Sequence, residues 1–146
     1  MAASSSTEGI VLFLHPLTDS SLIVTWLTLD HGKIKTVAKA ARRINSPFAG
    51  QLDLFFRADL TFIRSRSSEL HLLKEVKLIA QPERLRRDYT ALKTAGKLAE
   101  FLIKTLEPEF SDPELYGMCR QYLESLEAGD LKDMEALRKQ IWAHLK

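Results

Sequence analysis

A chain of 146 residues that is 45% hydrophobic can bury a core and is short enough for one domain or two small ones. Its single cysteine excludes an internal disulfide and a four-thiolate zinc site, and no apolar run approaches the ~20 residues needed to span a bilayer. The formal net charge of +2 is unevenly spread: up to Ala80 there are 10 Lys and Arg against 7 Asp and Glu, and beyond it 11 against 12. That asymmetry points to a basic binding module followed by a near-neutral companion.

Residues 1–7 are Ser-rich and lack the basic and apolar regions of a secretory signal, so they are expected to form a disordered lead-in to a soluble intracellular protein. Glu8 to Leu14 is a short continuous apolar run, the pattern of a strand covered on both faces. Pro16, Thr18, Asp19 and Ser20 mark a turn, and Leu22 to Leu29 repeats the strand pattern. Asp30-His31-Gly32 is a tight connection with glycine where a positive φ is expected, so the second and third strands should form a hairpin.

The third strand opens the stretch that most needs a functional explanation. No acidic residue stands between Asp30 and Asp53, while Lys33, Lys35, Lys39, Arg42 and Arg43 are all positive. Alternation from Lys33 to Lys39 sends Ile34, Thr36 and Ala38 to one side and Lys33, Lys35, Val37 and Lys39 to the other. A stripe of one sign is either a well-hydrated outer face or a surface that meets an anion. Arg42, Arg43 and the irregular link through Asn45, Ser46, Pro47 and Gly50 extend it beyond what solubility requires. A small helical turn between Ala38 and Ile44 is one option there.

Leu52 to Ile63 alternates over an unusual length, with Leu52, Leu54, Phe56, Ala58, Leu60 and Phe62 on the core side and Phe55 and Arg57 on the other. A polar loop holds Arg64 and Arg66, and Leu70 to Ile79 supplies a fifth strand. Five antiparallel strands within residues 8–80, with the longest link between the third and fourth, fit a closed OB-type barrel. Such barrels bind oligonucleotides on the face of strands two and three and through the neighbouring loops.

After Gln81-Pro82-Glu83 the period changes to three and four, through Leu85, Tyr89, Leu92, Gly96, Ala99 and Leu106, which predicts one long helix ended by Pro108. Asp112-Pro113-Glu114 is an N-cap and first-turn signal for a second helix closed by Gly129, and Asp130 is the expected cap of a third. The fold class is therefore α+β: a five-stranded OB barrel over residues 8–80 and a three-helix domain over residues 81–146.

The four histidines, His15, His31, His71 and His144, have no ligand-spaced partner, and Cys119 lies on an apolar helical stripe. No glycine-rich phosphate loop is present, so neither a cofactor nor catalysis is expected. For nucleic acid, the candidate phosphate contacts are Lys33, Lys35, Lys39, Arg42, Arg43, Arg57, Arg64 and Arg66. Phe48 and Phe55 are the candidates to stack on bases. Against that, Phe55 is favoured to lie under the helices, Phe48 to plug the barrel end and Trp26 to sit in the core.

Gly9-Ile10-Val11-Leu12, the Thr28-x-x-His31-Gly32-Lys33 turn and the Ala38-Lys39-Ala40-Ala41-Arg42-Arg43 run followed by Ser46 resemble the N-terminal domain of the RecO family of bacterial recombination mediators. Asp112-Pro113-Glu114-Leu115 through Leu123 to Gly129 resembles that family's proline-marked second helix. The resemblance implies an OB fold joined to a helical domain, binding to single- and double-stranded DNA, and strand annealing. It also implies recombinase loading with RecR and through the tail of the single-strand DNA-binding protein, in the cytoplasm at the nucleoid. It assigns DNA contact to Lys39, Arg42 and Arg43. The family usually has glycine where Ala40 stands, and its members continue past the position of Lys146 into a part that often carries a four-cysteine zinc motif. A shortened relative or a fragment is therefore expected. The competing expectation is a protein-interaction adaptor, whose helices or basic face dock a protein.

Overall fold

The computed structural model describes residues 3–132 and 134–145. Five strands close into a barrel: β1 (Ser4–Pro16), β2 (Leu22–Thr28), β3 (Gly32–Ala38), β4 (Arg57–Ile63) and β5 (Leu70–Ala80). Their order around the barrel is β1-β2-β3-β5-β4, the arrangement of an OB fold. The long β1 serves two neighbours, pairing with β4 from Ser4 to Ile10 and with β2 from Gly9 to Pro16. The expected lead-in is thus corrected: Ser4 to Thr7 are strand, held by their ladder to Leu60–Ile63. A polar Ser run satisfies its backbone groups on β4 and leaves its side chains at the surface. Residues 1 and 2 of that lead-in, and Lys146 of the expected helical domain, lie outside the described residues.

Two further expectations change. The pairing that closes the barrel, β3 with β5 at Lys35–Leu70 to Val37–Leu72, is parallel rather than antiparallel. The fourth strand starts at Arg57, not Leu52, because Phe55 takes a left-handed backbone at φ 66° and breaks the alternation. Phe55 N–H donates to the Val11 carbonyl at 2.9 Å, and its ring is buried against the helices. Burial of a large ring there outweighs a conformational cost of roughly 1–2 kcal/mol.

Two apolar clusters divide the molecule. Val11, Val24, Trp26, Ile34, Phe48, Phe56, Leu60 and Phe62 fill the barrel, and the Trp26 indole N–H donates to Thr36 Oγ1 at 2.9 Å. Ile10, Leu12 and Leu27 point outward from the same strands and pack with Phe55 against the helices. The first strand is therefore covered on both faces.

The helices are α1 (Glu83–Arg87), α2 (Tyr89–Thr105), α3 (Pro113–Ala128) and α4 (Met134–His144). The single long helix expected after Pro82 is two, broken at Asp88. Its extended backbone closes α1 through N–H to Arg84 O, and its carboxylate caps α2 by accepting from Ala91 N at 3.1 Å. Glu127 of α3 accepts from the backbone N–H groups of Arg84 and Leu85 at 3.0 and 2.6 Å, satisfying the free donors at the start of α1. Asp112 caps α3 and Gly129 closes it with φ 73°, as the sequence indicated. Asp130 accepts from Lys132 N–H at 3.2 Å, ahead of α4, and residue 133 between them and the helix lies outside the described residues.

Candidate nucleic-acid interface

The alternation in β3 holds: Ile34, Thr36 and Ala38 are buried, and Lys35 and Val37 turn outward. Gly32 has φ 66°, and a Cβ there would lie 2.1 Å from the Phe110 carbonyl oxygen, so the hairpin turn requires glycine. Beyond Ala38 the chain runs through successive tight turns instead of a helical turn. Ala40 takes φ 58°, Arg43 N–H donates to Ala40 O at 3.1 Å, and Ser46 N–H donates to Arg43 O at 3.1 Å. This loop is fastened to the β1–β2 turn: Arg42 N–H donates to Ser20 O at 2.9 Å, and Arg42 Nη1 donates to Thr18 O at 3.1 Å. Phe48 is buried in the barrel core and anchors the far side of the loop.

The eight candidate cations separate into two groups. Lys35, Lys39, Arg42, Arg43 and Arg66 are exposed. Among the described residues none of the five takes part in an ion pair. The other three are engaged at the junction of barrel and helices. Lys33 Nζ donates to the Ile103 carbonyl at 2.7 Å, and burial, with the charge of Lys35, lowers its pKa. Arg57 pairs with Glu8 at 3.3 Å, and the same Glu8 oxygen accepts from the buried Tyr116 hydroxyl at 2.6 Å. Burial pushes the Tyr116 hydroxyl pKa up, and the bond to Glu8 adds to this. Arg64 pairs with Glu109, whose second oxygen lies 3.3 Å from Nε2 of buried His71 but out of line for a hydrogen bond. Lys33 ties the barrel to α2, Arg57 braces the Glu8 carboxylate that holds Tyr116 of α3, and Arg64 holds the α2–α3 link, which local charge alone did not reveal.

Both aromatic residues nominated for stacking are buried. The aromatic side chains on the open face are Phe13 and His15 of β1, a placement that depends on a strand irregularity without a sequence signature. Cys119 is buried, and burial together with the Asp112 charge pushes its thiol up to about 12, which is unlike a nucleophile. As the sole cysteine it does not fit the four-thiolate zinc site that the family resemblance associates with a more distal part. Among the described residues, no group of three His, Cys, Asp or Glu is placed to hold a metal ion, and no helix is long and apolar enough to cross a membrane.

With this barrel and loop in place, the family model described as Recombination protein O N terminal matches residues 1–82. The chain belongs to this family. Among curated proteins it is similar to the DNA repair protein RecO of Geobacter metallireducens, with 32% identity over 87% of this chain and 51% of that protein. The protein of the same name from Cyanothece sp. is 30% identical over 99% of this chain and 49% of its own length. That of Bifidobacterium longum subsp. infantis is 36% identical over 70% and 42%. The chain spans about half the length of these curated relatives.

Proposed function

We propose that this chain is a DNA-binding protein of recombinational repair, with the barrel as its nucleic-acid module and residues 81–146 as a helical companion. The observation that carries the reading is the set of five exposed cations, Lys35, Lys39, Arg42, Arg43 and Arg66, without ion-pair partners among the described residues. A carboxylate nearby would have neutralised them, as Glu8 and Glu109 do for Arg57 and Arg64. The printed names of the relatives, DNA repair protein RecO, support a repair role.

The mechanism is electrostatic. Phosphates of two strands meet the cationic face, their mutual repulsion is screened, and pairing is hastened with little discrimination among bases. No substrate is turned over. The resemblance adds RecR and the tail of the single-strand DNA-binding protein as partners of the whole protein, acting at the nucleoid in the cytoplasm.

Binding to labelled single-stranded and duplex DNA, titrated with salt, tests the reading. If all five cations meet phosphates, log K falls against log salt with a slope of about −3.5 on single strands. Arg42→Glu/Arg43→Glu should flatten that slope and weaken binding at least tenfold. A wild-type chain that binds neither form at low salt contradicts the reading and favours the protein-interaction adaptor.

A further inference from the structure

Phe13 owes its place on the open face to an irregularity in β1. Strict alternation from Ile10, which points to the helices, would turn Phe13 into the barrel. The register shifts between Val11 and Phe13, so that Leu12 is an extra residue. A bulge of this kind re-aims the side chains that follow it. Leu12 packs towards the helices and Leu14 into the barrel. Phe13, opposite Thr25 and between Leu12 under the helices and Leu14 in the barrel, stands outside.

Register then relates the three strands: Phe13, Thr25 and Lys35 form one row, with Thr25 buried between the two exposed residues, and His15, Ile23 and Val37 form the next. Phe13 is 49% exposed. It stacks on the His15 ring with centroids 6.4 Å apart and planes at 20°. On its other side it forms one wall of a groove of about 530 Å³ between β1 and α2, lined by Leu12, Leu54, Leu92 and Ile103.

A duplex keeps its base faces inside the stack, whereas an unpaired strand offers them to an aromatic ring while its phosphates follow a cationic track. Resting on the DNA-binding reading above, we propose that Phe13 is a base-stacking platform. The face takes an unpaired strand, with a base on the Phe13 ring and the phosphates along Lys35, Lys39 and the Arg42–Arg43 loop. The charge of this track commits the apolar wall to a nucleobase as its occupant.

The test compares wild type, Phe13→Ala and Phe13→Trp in the full chain, against an unpaired oligonucleotide and a duplex of the same length. Phe13→Ala should weaken binding to the unpaired strand roughly tenfold, leave duplex binding unchanged and keep the salt slope, because no phosphate contact is lost. Phe13→Trp should restore the affinity, and its fluorescence, read as the difference from wild type, should be quenched by the unpaired strand alone. Equal affinities for wild type and Phe13→Ala, or equal losses on both DNA forms, overturn this inference and leave the DNA-binding reading standing. A wild type that binds neither form at low salt overturns both.

Discussion

At the junction of barrel and helices, Lys33, Arg57 and Arg64 each reach a carbonyl or carboxylate of another element, and Glu8 holds Arg57 and Tyr116 together. On the open face Lys35, Lys39, Arg42 and Arg43 have no ion-pair partner among the described residues, and neither has exposed Arg66 in the β4–β5 loop. The two regions share residue types, and Lys33 and Lys35 are only two positions apart in one strand. They differ because the helices and the α2–α3 link cover one end of β3, where Glu109 N–H donates to Lys33 O at 2.9 Å, and leave the other end open. A cation paired with another element ties those elements into one packing arrangement, even where, as at Arg64, it is itself exposed. A cation left without a partner keeps its charge available to a ligand.

Disturbing the junction should give the largest change in stability. Glu8→Ala leaves the Arg57 guanidinium and the Tyr116 hydroxyl without their acceptor and should cost about 2 kcal/mol in urea unfolding, with DNA affinity unchanged. Next in size is a pH effect from the same buried region. Cys119 is raised from its ordinary 9.0 to about 12 and Tyr116 is raised too, so the folded state holds protons that the unfolded chain releases first. Their contribution is complete below pH 9 and declines as pH rises through about 12. For the thiol the loss is about 1 kcal/mol by pH 10, which Cys119→Ala should remove from the melting curves.

On the open side the changes are smaller and of another kind. Ala40 has φ 58°, so Ala40→Gly should raise stability by about 0.5–1 kcal/mol in the same unfolding assay. Arg66→Ala should weaken DNA binding only a few-fold and flatten the salt slope by about 0.7, with no shift in melting temperature.

The parts of the fold fixed by local chemistry were legible: the lysine alternation of β3, the glycine turn at Gly32, and the cap signals at Asp112-Pro113 and Gly129. What required distant partners was not. Ser4 to Thr7 are strand only because β4 lies beside them, and Phe55 leaves the alternating pattern because the helices offer its ring a buried site. Asp88 divides one apolar stripe into two helices by capping both ways. In the candidate interface, the basic run could be read directly from charge, whereas the fate of Arg57 and Arg64 depended on Glu8 and Glu109, 49 and 45 residues away. The Phe13 bulge has no local signature at all, since an extra residue in a ladder is defined by the strand opposite.

The most direct test of the division is to neutralise one pair of cations from each region and to measure both melting temperature and affinity for single-stranded DNA. Lys33→Gln/Arg57→Gln should lower the melting temperature by several degrees and leave affinity at low salt nearly intact. Lys35→Gln/Lys39→Gln should do the reverse. Loss of DNA affinity in the junction variant at unchanged stability, or unchanged affinity in the open-face variant, would contradict the account.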